Sequence, residues 1–367
     1  MTSDISPSAD GTDAQLASFG WDESFARDFD ILRAPGTVPA RVVAEHRDRY
    51  VVRTAQGERA AVLAGRLRHR SSAREELPAT GDWVAVDAGD GTASIHAMLP
   101  RRSLFRRKAA GETTEAQVVA ANVDVALVAA ALPADVNARR IERYLALAWE
   151  SGAVPVVLLT KADLVDDFDA AVRGVRAVAP GVEVAPVSAV TGAGVDALAR
   201  WLKPGRTAVL LGSSGVGKST LTNLLAGGDA LRTGAVRDDG KGRHTTTHRQ
   251  LVRLRNGALL IDSPGMRELQ LWTADAGLES AFADVEALAA RCRFGDCAHE
   301  SEPGCAVRAA AESGALDPER LESWKRLRRE LAWLELRQDE AAAAAERART
   351  RTLHRALRAH TRHKYGG

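Results

Sequence analysis

The chain has 367 residues, of which 45% are apolar and 27% charged, with a net charge of +2 at neutral pH. That length suffices for two or three domains around a substantial core, and so small a net charge does not make the whole molecule a polyanion binder. No run of 18 apolar residues offers a membrane span, the acidic, Ser-rich start lacks the pattern of a secretory signal, and three cysteines confined to 14 positions argue against a disulfide framework, so the expected setting is the cytoplasm.

Residues 1–30 hold seven acids and one Arg. With few large apolar residues in view, the stretch 1–35 is expected to be disordered or loosely attached. From residue 36 to about 104 the apolar period becomes two. Ala40–Val43, Arg49–Thr54, Arg59–Leu63, Asp82–Val86 and Ala93–Met98 predict five short strands with Gly57 and Asp90-Gly91 at turns. Five strands in so short a span suggest a small closed barrel, with an OB-fold as first candidate; such barrels often bind RNA, and a purely structural barrel is the alternative. Arg101, Arg102, Arg106, Arg107 and Lys108 follow as a basic connector, read as a phosphate contact beside the barrel or, failing that, a solvated linker.

Residues 105–271 read as an α/β domain. Val123–Val128 predicts its first strand, and Ile141, Tyr144, Leu145 and Ala148 a crossover helix. The apolar strand Val154–Leu159 ends in Thr160-Lys161-Ala162-Asp163, which matches the guanine box [NT]-K-x-D. There the Asp163 carboxylate would accept from the ring N–H and exocyclic amine of guanine, and Lys161 would lay its stem over the base. A further strand, Val182–Val187, ends in Ser188-Ala189, a small pair expected to offer backbone donors to the guanine carbonyl.

The segment Gly212-Ser213-Ser214-Gly215-Val216-Gly217-Lys218-Ser219-Thr220 fits the phosphate loop G-x-x-x-x-G-K-[ST]. It lies between the apolar strand Ala208–Leu211 and a helical segment ending at Gly227-Gly228. In that setting backbone N–H groups and a helix N-terminus converge on phosphate, Lys218 reaches the terminal phosphates and the Ser219 hydroxyl ligates Mg²⁺. Gly240–Thr247 reads as a first switch, with Thr246 assigned as the second Mg²⁺ ligand. Gln250–Leu254, the turn Asn256-Gly257 and Ala258–Ile261 predict a hairpin. It delivers Asp262-Ser263-Pro264-Gly265, a D-x-x-G element in which Asp262 holds Mg²⁺ through water and the Gly265 N–H meets the γ-phosphate. The elements run base box, Ser-Ala, phosphate loop, switch, D-x-x-G, whereas small GTPases begin with the phosphate loop. Circular permutation reconciles the two orders.

Residues 272–367 turn helical. Cys292, Cys297, His299 and Cys305, spaced C-x₄-C-x-H-x₅-C, supply four ligands that close a tetrahedral Zn²⁺ shell, hence a structural rather than catalytic metal. Asp317-Pro318 starts a last long helix with the stripe Leu321, Trp324, Leu327, Leu331 and Leu334. Seven Lys/Arg and no acid follow Glu346, a basic tail read as an RNA phosphate contact.

This order of motifs, with a barrel before and a zinc loop after, resembles the RsgA (YjeQ) family of circularly permuted GTPases over roughly residues 38–360. The most specific pieces are Gly242-Arg243-His244-Thr245-Thr246-Thr247, Asp262-Ser263-Pro264-Gly265 and the Cys/His loop; Thr160 stands where the family more often has Asn. The resemblance implies an OB-fold, a permuted GTPase domain and a zinc domain acting in late maturation of the small ribosomal subunit. Its implied partners are rRNA and GTP or GDP, and the chain is expected to work as a monomer. Met266 follows Gly265 where Ras-like enzymes carry a water-orienting Gln. His244, similar to the family's switch His, is therefore the candidate catalytic group. The alternative function is a nucleotide-sensing RNA-binding module in which hydrolysis is incidental.

Overall fold

The computed structural model describes residues 14–46, 49–71, 73–89, 91–108, 116–228, 249–262 and 275–333. Helix α1 (Glu23–Leu32) is capped by Asp22, whose carboxylate accepts from the backbone N–H of Ser24 and Phe25 at 3.0 and 3.1 Å. Trp21, Phe25 and Phe29 recur at four-residue spacing, the interval that aligns side chains on one helix face. They pack with Leu16 around the fully buried Trp83, and Trp21 meets that indole edge-on with centroids 4.7 Å apart. The described part of the stretch expected to be loose is therefore folded, because its aromatics cover one end of the barrel.

That barrel consists of β1 (Thr37–Glu45), β2 (Tyr50–Thr54), β3 (Gly57–Leu63), β4 (Trp83–Asp87) and β5 (Ala93–Met98), with the short helix α2 (Gly65–Arg70) after β3. The strand order β1-β2-β3-β5-β4 closes because β4 also pairs with β1, so no edge is left open. Ala40, Val42, Tyr50, Val52, Val84, Val86 and Ile95 fill the interior. A hairpin, β6 (Leu104–Lys108) and β7 (Ala116–Ala121), then leads out of the barrel.

Among the described side chains of the connector, all four arginines have partners within the fold. Arg101 makes a two-toothed pair with the fully buried Asp82 at 2.7 and 2.9 Å and also donates to the carbonyls of Glu75 and Leu77. Arg102 clamps both carboxylate oxygens of Asp22, Arg106 lies 3.5 Å from Glu75, and Arg107 donates to Gln117. Their carboxylate and amide partners are remote in sequence, which is why the run looks unpaired when read linearly.

The α/β domain comprises β8 (Val125–Ala131), α3 (Ala138–Ser151), β9 (Val154–Thr160), α4 (Asp169–Val178), β10 (Glu183–Pro186), β11 (Thr207–Leu211), α5 (Lys218–Ala226), β12 (Arg249–Arg253) and β13 (Leu259–Asp262). The sheet order is β10-β9-β8-β11-β13-β12, parallel except for β12. Every residue of β8 and β11 is buried, as expected of central parallel strands covered on both faces. The predicted hairpin is present, with Gly257 at φ 83° in its turn. Beyond β12 the ladder continues into the barrel, since β12 also pairs with β1.

Among the described residues beyond the sheet, four helices follow: α6 (Asp275–Ala281), α7 (Ala283–Ala289), α8 (Ala306–Glu312) and α9 (318–333). Phe282, Val285, Val307, Trp324, Leu327 and Leu331 join Ile141 and Leu145 of α3 in one continuous core. Among the described residues, no helix is long and apolar enough to cross a membrane.

Candidate nucleotide site and metal centre

The sheet brings the separated motifs to one edge. β11 runs straight into the loop 212–217, and α5 leaves it with Gly217 as its N-cap in the left-handed region. Gly212 is required sterically: at φ 140° a Cβ there would meet the carbonyl oxygen of Ala129 on β8 at 2.4 Å. Gly215 and Gly217 have φ of 81° and 91°, which aim successive peptide N–H groups around the loop. The Lys218 ammonium donates back to the loop carbonyls of Gly212 and Ser213 at 2.7 and 2.5 Å. Ser219 and Thr220 lie exposed on the first helical turn, with Ser213 half-buried and Ser214 exposed in the loop. Asp262 ends β13, which lies between β11 and β12, and its carboxyl is pushed above the usual range by burial, with the Lys218 charge pulling it back.

The base box sits at the end of β9. Thr160 is buried, and its hydroxyl donates to the carbonyl of Val216 at 2.6 Å, so the box is tied directly to the phosphate loop. Lys161 adopts φ 57°, which turns the chain sharply into Ala162 and the exposed Asp163. The Ser188 hydroxyl donates to Asp163 Oδ1 and accepts the N–H groups of Val190 and Thr191 at 3.2 and 3.1 Å. The backbone N–H of Ser188 is spent on Ala193 O at 2.9 Å, and Ala189 beside it is half-buried. Gly192 and Gly194, which let the loop 188–194 fold back on itself, were not singled out in the sequence; Gly194, at φ 74°, lies where a Cβ would meet Pro186 O at 2.2 Å. His244, Thr246 and Gly265 lie outside the described residues.

The metal centre is assembled from one loop and a helix start. The ligand atoms of Cys292, Cys297, His299 and Cys305 all lie within 4.8 Å of one another. His299 Nδ1 is 3.6 Å from Cys292 Sγ and 3.4 Å from Cys305 Sγ, and those two sulfurs are 3.9 Å apart. A tetrahedral Zn²⁺ with Zn–S near 2.3 Å and Zn–N near 2.0 Å sets ligand separations of about 3.5–3.8 Å, so the donor set and its spacing fit. His299 reaches inward from φ 60°, with its ring 5.3 Å from that of Trp324. Cys305 also caps α8 by accepting from Arg308 N. Glu302 gathers the N–H groups of Ala298, Glu300 and Ser301 at 2.8–3.0 Å, and these bonds, with one to its own backbone N–H, hold its carboxyl down at about 2.

Phosphate loop, guanine box and D-x-x-G carboxylate around one permuted α/β sheet, with a closed barrel before it and a Cys₃His centre after it, define a circularly permuted GTPase. Comparison with known proteins narrows the class. The sequence profile of the RsgA GTPase family matches residues 98–272. The small ribosomal subunit biogenesis GTPase RsgA of Opitutus terrae is 48% identical over 95% of this chain and 98% of its own length. The protein of the same name from Streptomyces coelicolor is 50% identical over 89% of each chain. The crystal structure of YjeQ from Thermotoga maritima, 27% identical, superposes with a TM-score of 0.62 over 81% of this chain and 99% of that one. YloQ, described as a circularly permuted GTPase, shares the fold at a TM-score of 0.60, 20% identity and coverage of 82% and 97%. The chain belongs to the RsgA GTPase family and is a GTP-hydrolysing enzyme.

Proposed function

We propose that this GTPase acts in the biogenesis of the small ribosomal subunit, binding its rRNA, with subunit binding stimulating hydrolysis. The observation that carries the reading is the single ladder joining barrel and nucleotide sheet, with the C-terminal helices packed on α3: three units built as one body suit a protein that reports nucleotide state to a large partner. The names of the Opitutus and Streptomyces relatives support the assignment. The setting is the cytoplasm, and the chain works as a monomer.

In this reading Gly212–Thr220 cradle the phosphates and Lys218 exchanges its carbonyl partners for β- and γ-phosphate oxygens. Ser219, Thr246 and Asp262 would hold Mg²⁺, which when bound would supply charge neutralisation at the phosphates. Asp163, held by Ser188, reads guanine, Lys161 covers the base, and Ala189 donates to its carbonyl. Gly265 N–H meets the γ-phosphate. Cys292, Cys297, His299 and Cys305 would hold Zn²⁺, a structural ion that would tie down the loop 292–305. A thioether at Met266 cannot orient water, so His244 serves as the group that does when the subunit is bound.

GTP turnover with and without purified small subunits tests the proposal. Stimulation that disappears in His244→Ala, with GTP affinity and subunit binding kept, is the expected result. A rate indifferent to subunits would reject it, and a variant that no longer binds the subunit would make His244 a docking residue.

A further inference from the structure

The strand β1 serves two cores at once. Val42 points into the barrel, whereas Val43, the extra residue at an irregularity in the β1–β2 register, belongs to the core of the α/β domain with Leu251 and Ile261. The same strand is fastened to the nucleotide sheet at two places. The buried Arg41 donates to Thr207 Oγ1 at 2.8 Å, at the start of the strand that ends in the phosphate loop. Four residues on, Glu45 receives the Arg249 guanidinium at 2.8 Å, with the two side chains only 21% and 10% exposed.

The register at the second fastening bears on the chemistry. Gln250 of β12 stands opposite Ala44 of β1 on one side and opposite Asp262 of β13 on the other. Glu45 opposite Arg249 is the adjacent rung of that ladder. The barrel is thus two strand spacings, roughly 10 Å, from the carboxylate read as the Mg²⁺ holder. A sheet transmits displacement along its hydrogen-bonding direction because its backbone groups have no alternative partners.

We propose that Glu45 and Arg249 are positioning residues for GTP hydrolysis: their ion pair pins the barrel strand β1 to β12 and thereby sets the place of Asp262. The barrel becomes a lever on turnover without touching nucleotide. The inference rests on the reading of Asp262 given above, and Asp262→Asn run in parallel tests that reading separately.

The experiment compares wild type with Glu45→Arg, Arg249→Glu, the double swap and Glu45→Gln. It measures kcat, KM and GTP affinity without any partner, and thermal unfolding alongside. Each charge reversal should lower kcat about tenfold, equivalent to about 1.4 kcal/mol in the barrier, and leave KM within about twofold. The double swap should restore kcat, and Glu45→Gln, which keeps an acceptor and removes the charge, should give a smaller loss. Wild-type kcat in folded Glu45→Gln and in the reversals would overturn the proposal, as would a loss that a folded double swap fails to restore. If the reversals do not fold, Glu45→Gln alone decides. Should Asp262→Asn keep full turnover, the Asp262 reading fails whatever the ion pair does.

Discussion

Thr160 donates its hydroxyl hydrogen to the carbonyl oxygen of Val216 at 2.6 Å, closing the base box onto the phosphate loop across 56 residues of sequence. An Asn at that position would offer an amide; Thr reaches the loop with a shorter arm and also approaches Ala130 O at 3.3 Å. Thr160→Val keeps the shape and leaves a loop carbonyl without its donor, a loss of about 1–3 kcal/mol. GDP affinity should fall by roughly tenfold or more with the fold intact, as read by titration calorimetry. Unchanged affinity would mean that the loop keeps its shape without Thr160.

Specificity should separate into two sizes of effect. Asp163→Ala removes the acceptor for two guanine donors, and the expected loss is about 2–4 kcal/mol in GTP affinity, with ATP binding still weak. Ser188→Ala leaves the carboxylate in place and frees it to rotate, so a smaller loss, near 1 kcal/mol, is expected. Competition with GTP, inosine triphosphate and ATP in both variants checks the order; an equal loss in the two would make Ser188 a direct contact.

Most of the site was legible because its chemistry depends on local strings: a Gly-rich loop, a box at a strand end, Cys and His in one turn. What escaped depends on partners far away in sequence. The connector arginines look like a basic patch until Asp82, Asp22 and Glu75 are seen to meet them. Trp21, Phe25 and Phe29 carried a helical signal that the surrounding acids and serines masked, and only the barrel end they cover explains them. At Ser188 the sequence does not reveal that the backbone N–H is spent on the Ala193 carbonyl, since that is a matter of loop geometry.

At the metal centre, Cys297→Ser should release zinc and loosen the loop 292–305 while nucleotide binding persists. Elemental analysis of wild-type protein prepared without chelator should find one zinc per chain. Glu302 adds a pH signature. Its carboxyl is held at about 2, below the ordinary 4.5, so the unfolded chain binds more protons between those values and stability rises with pH there. The contribution is complete above about pH 4.5 and lost as pH falls towards about 2. Glu302→Gln should therefore flatten the difference in unfolding temperature between pH 6 and pH 3 relative to wild type, loss of metal in acid being common to both. Parallel curves would remove Glu302 from the account.

Arg320 fastens the C-terminal helices to the GTPase domain. From α9 it donates to Glu142 of α3 at 3.0 Å, to Asp284 at 2.6 and 2.7 Å, and to the carbonyls of Val178 and Ala281, with its guanidinium over the Phe282 ring. The side chain of Glu142 is fully buried, and its other cation, Arg139, is shared with Glu319. Truncating Arg320 strands that carboxylate, which for a buried pair costs about 3–5 kcal/mol, whereas replacing both members by apolar residues of similar volume is often neutral. Arg320→Ala should thus destabilise strongly, and Arg320→Met combined with Glu142→Leu should recover much of the loss, Asp284 being exposed enough to turn to water. Chemical denaturation followed by tryptophan fluorescence measures both. If the double variant is no more stable than Arg320→Ala, the bonds to the Val178 and Ala281 carbonyls, rather than the stranded Glu142, hold the helices in place.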